Sequence, residues 1–134
     1  MRIIIGGAGR VGTELARALR AEEMDVVLVD YDSRAVKNAQ NLDVLVIHGD
    51  LTTRQKLNEA GIGEAEVFVA ATNSDERNLI ACALAEHAHF EIGGKKAKPL
   101  LSICRVRDMN FINEQKRGHL TKWAKVNHAV NPLE

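Results

Sequence analysis

The sequence predicts an α/β fold in which a mainly parallel sheet of six strands carries helices on both faces. Short apolar runs alternate along the chain with segments of helical periodicity, which is the order of elements in such sheets. Each run is continuously apolar, so its strand should be buried on both faces. A glycine-rich turn joins the first strand to the first helix. Together these features predict a doubly wound, Rossmann-type domain.

Composition limits the classes of protein to which the chain can belong. Its 134 residues are 46% hydrophobic, which suits one domain with a single core. The 18 Lys and Arg residues balance the 18 Asp and Glu residues, so no overall field favours a nucleic-acid partner. No apolar run is long enough for a membrane span, and Cys82 and Cys104 form no C-x-x-C motif. We therefore expect a soluble protein in a reducing, cytosolic setting.

The first half of the chain predicts three strands and three helices. The β-branched run at residues 2–5 is the first strand, and helical spacing begins at Arg10 and continues to about residue 22. Residues 25–30 form the second strand, and Ser33 is the expected cap of a helix that reaches residue 39. Residues 44–47 form the third strand. Thr53 then begins a short helix that ends near Gly61.

The second half continues the alternation. Residues 67–70 form the fourth strand, and Ser74 caps a long helix that ends at about residue 89. Residues 91–98 are expected to form a flexible loop, and residues 100–104 form the fifth strand. A helix at about residues 110–117 and a short strand at residues 128–130 complete the sheet. The broad apolar surface of the long helix suggests burial on two sides.

The glycine-rich turn has the spacing G-x-G-x-x-G and lies where a dinucleotide-binding loop requires it, between a strand and a helix. Its first glycine permits the tight turn, its second admits a pyrophosphate and its third allows close packing. The alternative is a glycine-rich turn without a ligand. The motif consists of Gly7, Ala8, Gly9, Arg10, Val11 and Gly12.

Asp30 ends the second strand, about twenty residues beyond the glycines, where a carboxylate can accept hydrogen bonds from the adenosine ribose. A negative charge there would repel a 2′-phosphate. NAD or NADH, or an unmodified adenine nucleotide, is therefore favoured over NADP(H). Asp32 is either a further contact or, as a turn residue, solvated.

Other candidates follow the third, fourth and fifth strands. Asp50 and Leu51 lie at the edge that usually flanks an adenine ring, although a turn leading into a helix explains them equally well. Thr72 and Asn73, with Asn78 further along the next helix, lie across the switch point and offer hydroxyl and amide groups to a phosphate or ribose. Arg105 either clamps a phosphate or forms a surface salt bridge to Asp108.

Sequence motifs give little support to catalysis or metal binding. The run GGKKAK lacks the spacing of a Walker A loop, and its lysines are expected to be solvated. The five histidines have no metal-ligand spacing, and neither G-x-S-x-G nor H-E-x-x-H occurs. We therefore predict a ligand-binding domain that is not an enzyme and holds no metal.

Several of these segments together resemble the N-terminal lobe of Trk-type potassium-uptake regulators, the TrkA/KtrA or RCK family. ATNSDERNL, after the fourth strand, is more particular to that family than the glycine motif. The segments are MRIIIGGAGRVG, VVLVD, VIHGD, VFVAATNSDERNLIACALA and ICRVRD.

The resemblance implies a cytosolic domain that binds NAD(H), ATP, ADP or AMP and gates a membrane potassium transporter or channel. Through this partner the domain is expected to be peripheral to the inner face of the membrane. It implies that the site comprises residues 7–11, Asp30, Thr72, Asn73 and Arg105. Asp50 and Leu51 match the adenine-side segment, and Asn78 matches a further motif position.

The resemblance also implies that residues 1–134 form a single N-terminal lobe without the C-terminal lobe that follows it in the family. Leu133 and Glu134 are interpreted as either native or a cloning remnant. Self-association as a dimer or larger ring is expected through residues 79–85 of the long helix. A monomer whose next helix covers that surface is one alternative for assembly, and the cofactor domain of an NAD-dependent oxidoreductase is the alternative for function.

Overall fold

A computed structural model describes residues 1–131 as a six-stranded sheet with helices on both faces. All neighbouring strands are parallel, in the order β3-β2-β1-β4-β5-β6. The strands are β1 Arg2–Gly6, β2 Asp25–Asp30, β3 Leu45–His48, β4 Ala65–Ala70, β5 Leu101–Arg105 and β6 His128–Val130. The helices are α1 Arg10–Ala21, α2 Ser33–Ala39, α3 Arg54–Glu59, α4 Asp75–Gly93, α5 Met109–Lys116 and α6 His119–Ala124. The predicted doubly wound fold is confirmed.

Two hydrophobic cores separate on the two faces of the sheet, because successive side chains of a strand point in opposite directions. Ile4 of β1 joins the core beneath α3, α4 and α6, whereas Ile3 and Ile5 join the core beneath α1 and α2. The order of strands changes direction at this pair, because β2 and β3 extend the sheet to one side of β1, whereas β4, β5 and β6 extend it to the other. The carboxyl ends of β1 and β4 therefore flank a crevice. This crevice is the switch point of the fold.

Side chains cap four of the helices, and one of the predicted caps is wrong. Thr53 and Ser74 cap α3 and α4 by accepting hydrogen bonds from backbone N–H groups, as predicted. Ser33 does not cap α2, because Asp32 occupies the extended cap position and its carboxylate accepts the Arg34 N–H at 2.9 Å. The better acceptor one residue earlier makes Ser33 the first helical residue.

Helix α4 is four residues longer than predicted, so the expected loop at residues 91–98 is wrong in its first half. The helix continues to Gly93, and a 3₁₀ turn follows at Gly94–Lys96. Tertiary contacts hold this extension. His89 is buried with its Nδ1 atom 2.7 Å from the Ile62 carbonyl oxygen, and Ile92 packs where Gly63 has no side chain.

The segment after β5 forms two short helices where the sequence pattern predicts one. Gly118, at φ 81°, separates α5 from α6, and Lys125, at φ 61°, ends α6. Leu120 and Ala124 lie one helical turn apart and are fully buried in the core. Their i, i+4 spacing is the feature of the sequence from which α6 could have been predicted.

Features of some other protein classes are missing from residues 1–131. Within this range no helix combines the length and apolar character that a membrane span requires. The same residues hold no group of three or more His, Cys, Asp or Glu side chains able to bind a metal. Cys82 and Cys104 are both buried and free.

Candidate functional site

A cleft opens at the carboxyl ends of the strands, at the switch point of the sheet. Eight of the thirteen predicted site residues line it: Gly7, Gly9, Arg10, Val11, Asp30, Thr72, Asn73 and Arg105. The other lining residues are Tyr31, Asp32, Ala35, Ala71, Ser74 and Arg77. The other five predicted residues, Ala8, Gly12, Asp50, Leu51 and Asn78, are not among those that line the cleft.

The glycine loop is shaped by backbone packing on one side and by open space on the other. Gly7 has φ 111°, and an added Cβ there would lie 2.8 Å from the carbonyl oxygen of Ala71. A Cβ on Gly12 would overlap the carbonyl oxygen of Gly7. A Cβ on Gly9 would meet nothing within 4 Å, so Gly9 faces open space at the cleft.

Helix α1 begins at this loop without a side-chain cap, whereas side chains cap α2, α3, α4 and α5. The N-terminal N–H groups of a helix carry partial positive charge and attract anions. Because Gly9, Arg10 and Val11 line the cleft, the positive end of α1 faces into it. The arrangement suits a phosphate or another anion.

Asp30 links the glycine loop to the turn after β2. One carboxylate oxygen accepts the Ala8 N–H at 2.6 Å, and the other accepts the Asp32 N–H at 2.8 Å. Each ionised carboxylate oxygen can accept a further hydrogen bond. Asp30 therefore both organises the loop and leaves acceptor capacity beside the cleft, whereas Ala8 is buried.

Asn78 holds the opposite wall together from behind. Its side chain is fully buried, and its Oδ1 accepts the Thr72 N–H at 3.0 Å and the Thr72 hydroxyl at 2.5 Å. Its Nδ2 donates to the carbonyl oxygens of Thr72 at 3.1 Å and Arg105 at 2.9 Å. Asn78 thereby fixes the ends of β4 and β5 relative to each other. It has this structural role although it does not line the cleft.

Arg105 is only 6% exposed, which does not fit a surface salt bridge. Its Nη1 lies 3.5 Å from the carbonyl oxygen of Thr72, and the residue lines the cleft. The carboxylate of Asp108 caps α5 by accepting the Asn110 N–H at 2.8 Å. Arg105 therefore lies at the cleft, where its guanidinium is available to the predicted phosphate clamp.

Asp50 and Leu51 serve the structure in two different ways. Leu51 is fully buried and packs against the backbone of Gly6. The Oδ1 of Asp50 accepts the Thr52 N–H at 2.8 Å and the Thr52 hydroxyl at 2.7 Å, and it pairs with Arg77. Burial raises the pKa of Asp50, but the Thr52 hydrogen bonds and the Arg77 charge outweigh it and lower the pKa below 3.8.

Tyr31 and Arg77 line the cleft although neither is among the residues predicted from the sequence. The guanidinium carbon of Arg77 lies 5.3 Å from the centre of the Tyr31 ring, within the range of a cation–π contact. Tyr31 directly follows Asp30, and Arg77 lies in the first turn of α4. Their positions next to predicted residues are the signal that could have identified them.

The outer side of α4 is open to solvent. Ile80 is 57% exposed, and it lies with the partly buried Leu84 and Phe111 and the exposed Trp123 along one apolar groove. Helix α5 therefore lies beside this face and does not cover it. The interpretation in which the next helix hides this surface in a monomer is wrong. Burial of α4 on its second side stays a prediction that depends on self-association.

A family model described as the TrkA-N domain matches residues 3–132. The chain is 32% identical over 133 residues to the Trk system potassium uptake protein TrkA of Haemophilus influenzae. The match covers 98% of the chain but only 27% of that protein, so the chain spans about a quarter of this relative's length.

Two solved structures share the fold. The GsuK RCK domain superposes with a TM-score of 0.71 at 27% identity, covering 97% of this chain and 25% of that one. The NAD(P)-binding domain of an exopolyphosphatase-related protein from Archaeoglobus fulgidus has a TM-score of 0.72 at 18% identity, covering 96% and 86% respectively.

Proposed function

The chain belongs to the TrkA-N domain family, and from this we propose that it is a regulatory domain that binds NAD(H) or an adenine nucleotide and controls a membrane potassium transporter or channel. The name of the Haemophilus influenzae relative supports a role in potassium uptake. The Archaeoglobus fulgidus domain of the same fold is described as NAD(P)-binding, which supports a nicotinamide dinucleotide as the class of ligand.

One observation carries the proposal: the uncapped start of α1 and the carboxylate of Asp30 face the same cleft. In this proposal the N–H groups of Arg10 and Val11 bind the pyrophosphate or phosphates, which approach closely because Gly9 lacks a side chain. Asp30 accepts the ribose hydroxyls. Its charge disfavours a 2′-phosphate, so NAD(H), ATP, ADP or AMP is preferred over NADP(H).

The second wall completes the proposed site. Thr72 and Asn73 offer polar groups at the end of β4, and the guanidinium of Arg105 offers a fixed positive charge at the end of β5. Asn78 acts on the ligand only through Thr72 and Arg105, as a positioning residue. Asp50 reaches the cleft only through its pair with Arg77, and Leu51 is buried against Gly6.

We propose binding without catalysis. The groups assembled around the cleft include backbone N–H donors, an amide, hydroxyls, arginines and the carboxylates of Asp30 and Asp32, and in this proposal they serve recognition of a nucleotide. The competing proposal, the cofactor domain of an oxidoreductase, requires hydride transfer. Nicotinamide absorbance in the presence of candidate alcohols and aldehydes should stay constant, and a sustained change would favour the oxidoreductase.

The exposed face of α4 supports self-association. A second copy would bury Ile80 and Trp123, which are both more than half exposed. We propose that the isolated domain is at least a dimer, and that larger rings on the cytoplasmic side of the membrane require a longer protein or the transporter. Sedimentation equilibrium tests this, since a constant mass of 14.7 kDa at rising concentration would exclude association.

Thermal unfolding tests the binding proposal. A ligand that binds only the folded state raises the melting temperature, and more so as its concentration rises above its dissociation constant. At least one of NAD+, NADH, ATP, ADP and AMP is expected to raise it. An unchanged melting curve with all five at millimolar concentration would refute the proposal.

A further inference from the structure

Two side chains that the glycine motif does not include, Tyr31 and Arg77, line the cleft at its β2 side. Arg77 extends from the first turn of α4 towards the ends of β2 and β3. There its guanidinium meets the Tyr31 ring on one side and the Asp50 carboxylate on another. This group, Tyr31, Arg77 and Asp50, connects residues that follow three different strands.

The group is held at the Arg77 backbone and through the Arg77–Asp50 pair, and the Nε atom of Arg77 takes no part in holding it. The Arg77 backbone N–H donates to the cap residue Ser74 at 3.2 Å, and the adjacent Asn78 is fully buried, so the helix cannot shift easily. Asp50 is held by both hydrogen bonds from Thr52. By contrast, the Arg77 side chain is 36% exposed, and within the described residues its Nε atom has no hydrogen-bond acceptor. Movement of the guanidinium therefore breaks no bond at Nε.

The position of this group relative to Asp30 suggests a ligand. Tyr31 lines the same cleft as Asp30 and is 60% exposed, so a base attached to a ribose at Asp30 has the Tyr31 ring within reach. Both an aromatic ring and a guanidinium plane stack well on a purine. We propose that Arg77 is a specificity-determining residue that forms, with the Tyr31 ring, a slot in which the adenine base stacks. This inference rests on the proposed function.

The present spacing is too narrow for a base. The guanidinium carbon and the ring centre are 5.3 Å apart. A base in contact with both planes needs about 7 Å, twice the ~3.5 Å of an atomic contact. The guanidinium must therefore withdraw by about 2 Å on binding, while Asp50 keeps it on the cleft side of α4.

The slot distinguishes between the parts of a nucleotide. Stacking depends on the base, which NAD+, ADP and AMP share, whereas attraction by charge depends on the phosphates, which differ among them. Loss of the stacking plane should therefore weaken all three ligands by one common factor. Inorganic pyrophosphate has no base and should be unaffected.

Calorimetric titrations of Arg77→Ala and Arg77→Lys with NAD+, ADP, AMP and inorganic pyrophosphate test this. Both variants should weaken the three nucleotides at least about fivefold, the lower range for loss of one stacked base, and pyrophosphate by less than about twofold. Arg117→Ala, which removes an exposed arginine at the end of α5, should leave all four affinities unchanged. Melting temperatures of the variants establish that they are folded.

Three results would overturn the inference. Arg77→Ala could bind the nucleotides as tightly as the wild type, Arg77→Lys could restore full affinity, or the loss could extend to pyrophosphate. The last two would make Arg77 a partner of the phosphates through its charge. If the wild type bound none of the nucleotides, the proposed function itself would fail and this inference with it.

The aromatic half of the slot has its own readout, because Tyr31 is the only tyrosine in the chain. In protein labelled on tyrosine rings, AMP should shift the single set of ring resonances upfield and pyrophosphate should not. Tyr31→Phe should keep the affinity for AMP, and Tyr31→Ala should lower it. Binding of AMP without any movement of the ring resonances would contradict the slot.

Discussion

The two walls of the cleft are built by different means. The wall at β1 and β2 is made by backbone, since Gly7 and Gly12 pack against other main-chain atoms and Asp30 accepts a main-chain N–H. The wall at β4 and β5 is made by a side chain, since one buried amide, Asn78, ties the ends of both strands together. The first wall depends on where side chains are missing, and the second depends on where one is present.

This difference determines which substitutions each wall tolerates. In the backbone wall any added atom collides at Gly12, although the neighbouring Gly9 has free space. In the side-chain wall the removal of polar atoms leaves buried backbone groups without partners. Substitutions in the two walls should therefore differ in the size and the kind of their effects.

The largest effect is expected from Gly12→Ala. Its Cβ would overlap the Gly7 carbonyl oxygen, so the loop or α1 must shift. We expect the free energy of unfolding to fall by at least about 3 kcal/mol, at the upper end for overpacked sites. Gly9→Ser is the matched control, because serine is also a good cap and should change stability by less than about 0.5 kcal/mol. Urea unfolding of both variants measures the contrast, and equal losses would contradict it.

Asn78→Leu tests the side-chain wall. Leucine cannot make the four hydrogen bonds of the Asn78 amide. The Thr72 N–H and hydroxyl then lose their acceptor, and the carbonyl oxygens of Thr72 and Arg105 lose their donor. Unsatisfied buried groups of this kind predict a loss of about 2 to 3 kcal/mol in urea unfolding. Asn73→Ala, at an exposed position of the same loop, should cost less than about 0.5 kcal/mol. A similar loss of unfolding free energy in the two variants would show that the Asn78 amide does not hold β4 and β5 together.

Asp30→Ala should have a smaller effect on stability and a larger one on ligand choice. It removes two charge-assisted hydrogen bonds at a partly exposed site, so we expect a loss of about 1 to 2 kcal/mol. It should also narrow the preference for NAD+ over NADP+, because the charge that repels the 2′-phosphate is gone. The ratio of the NAD+ affinity to the NADP+ affinity is measured for the wild type and for Asp30→Ala. An unchanged ratio would show that Asp30 does not contact the ligand.

The smallest effect concerns acid stability. The pKa of Asp50 is lower in the folded protein than its ordinary value of 3.8. The ionised Asp50 carboxylate therefore stabilises the fold above pH 3.8, and this stabilisation is lost as the pH falls through the lower pKa of the folded state. Unfolding curves of wild type and Asp50→Asn should therefore converge below about pH 4. Because the Asp50 side chain is 39% exposed, solvent screens the interaction and the total change should stay below about 1 kcal/mol. A difference in unfolding free energy between wild type and Asp50→Asn that stays constant with pH would contradict this prediction.

The sequence predicts the backbone wall well and the side-chain wall poorly. The glycine spacing and Asp30 report local geometry, which the chain encodes within a few residues. Asn78 is predicted as a ligand contact because sequence spacing alone does not show that its amide turns inward to β5. Arg77 escapes prediction because its reach to Tyr31 and Asp50 depends on how α4 sits on the sheet.

The same limit applies to the fold. The alternation of strands and helices follows from the sequence pattern, yet the end of α4 does not, since contacts of His89 and Ile92 with residues 62 and 63 extend the helix past its predicted end. Similarly, α6 is stabilised by burial of Leu120 and Ala124 in a core that assembles from distant segments. Long-range packing overrides local preference at both places.

The most direct test of the central claim is a map of where a nucleotide binds. In a titration of isotope-labelled protein with NAD+, ADP or AMP, the largest amide shifts should fall on Gly9, Arg10 and Val11, with a second group at Thr72 and Asn73. Gly9→Ser should abolish these shifts while the remaining amide spectrum stays that of the folded protein. Saturable binding with its largest shifts elsewhere, for example along the exposed face of α4, would contradict the assignment of the switch-point cleft as the nucleotide site.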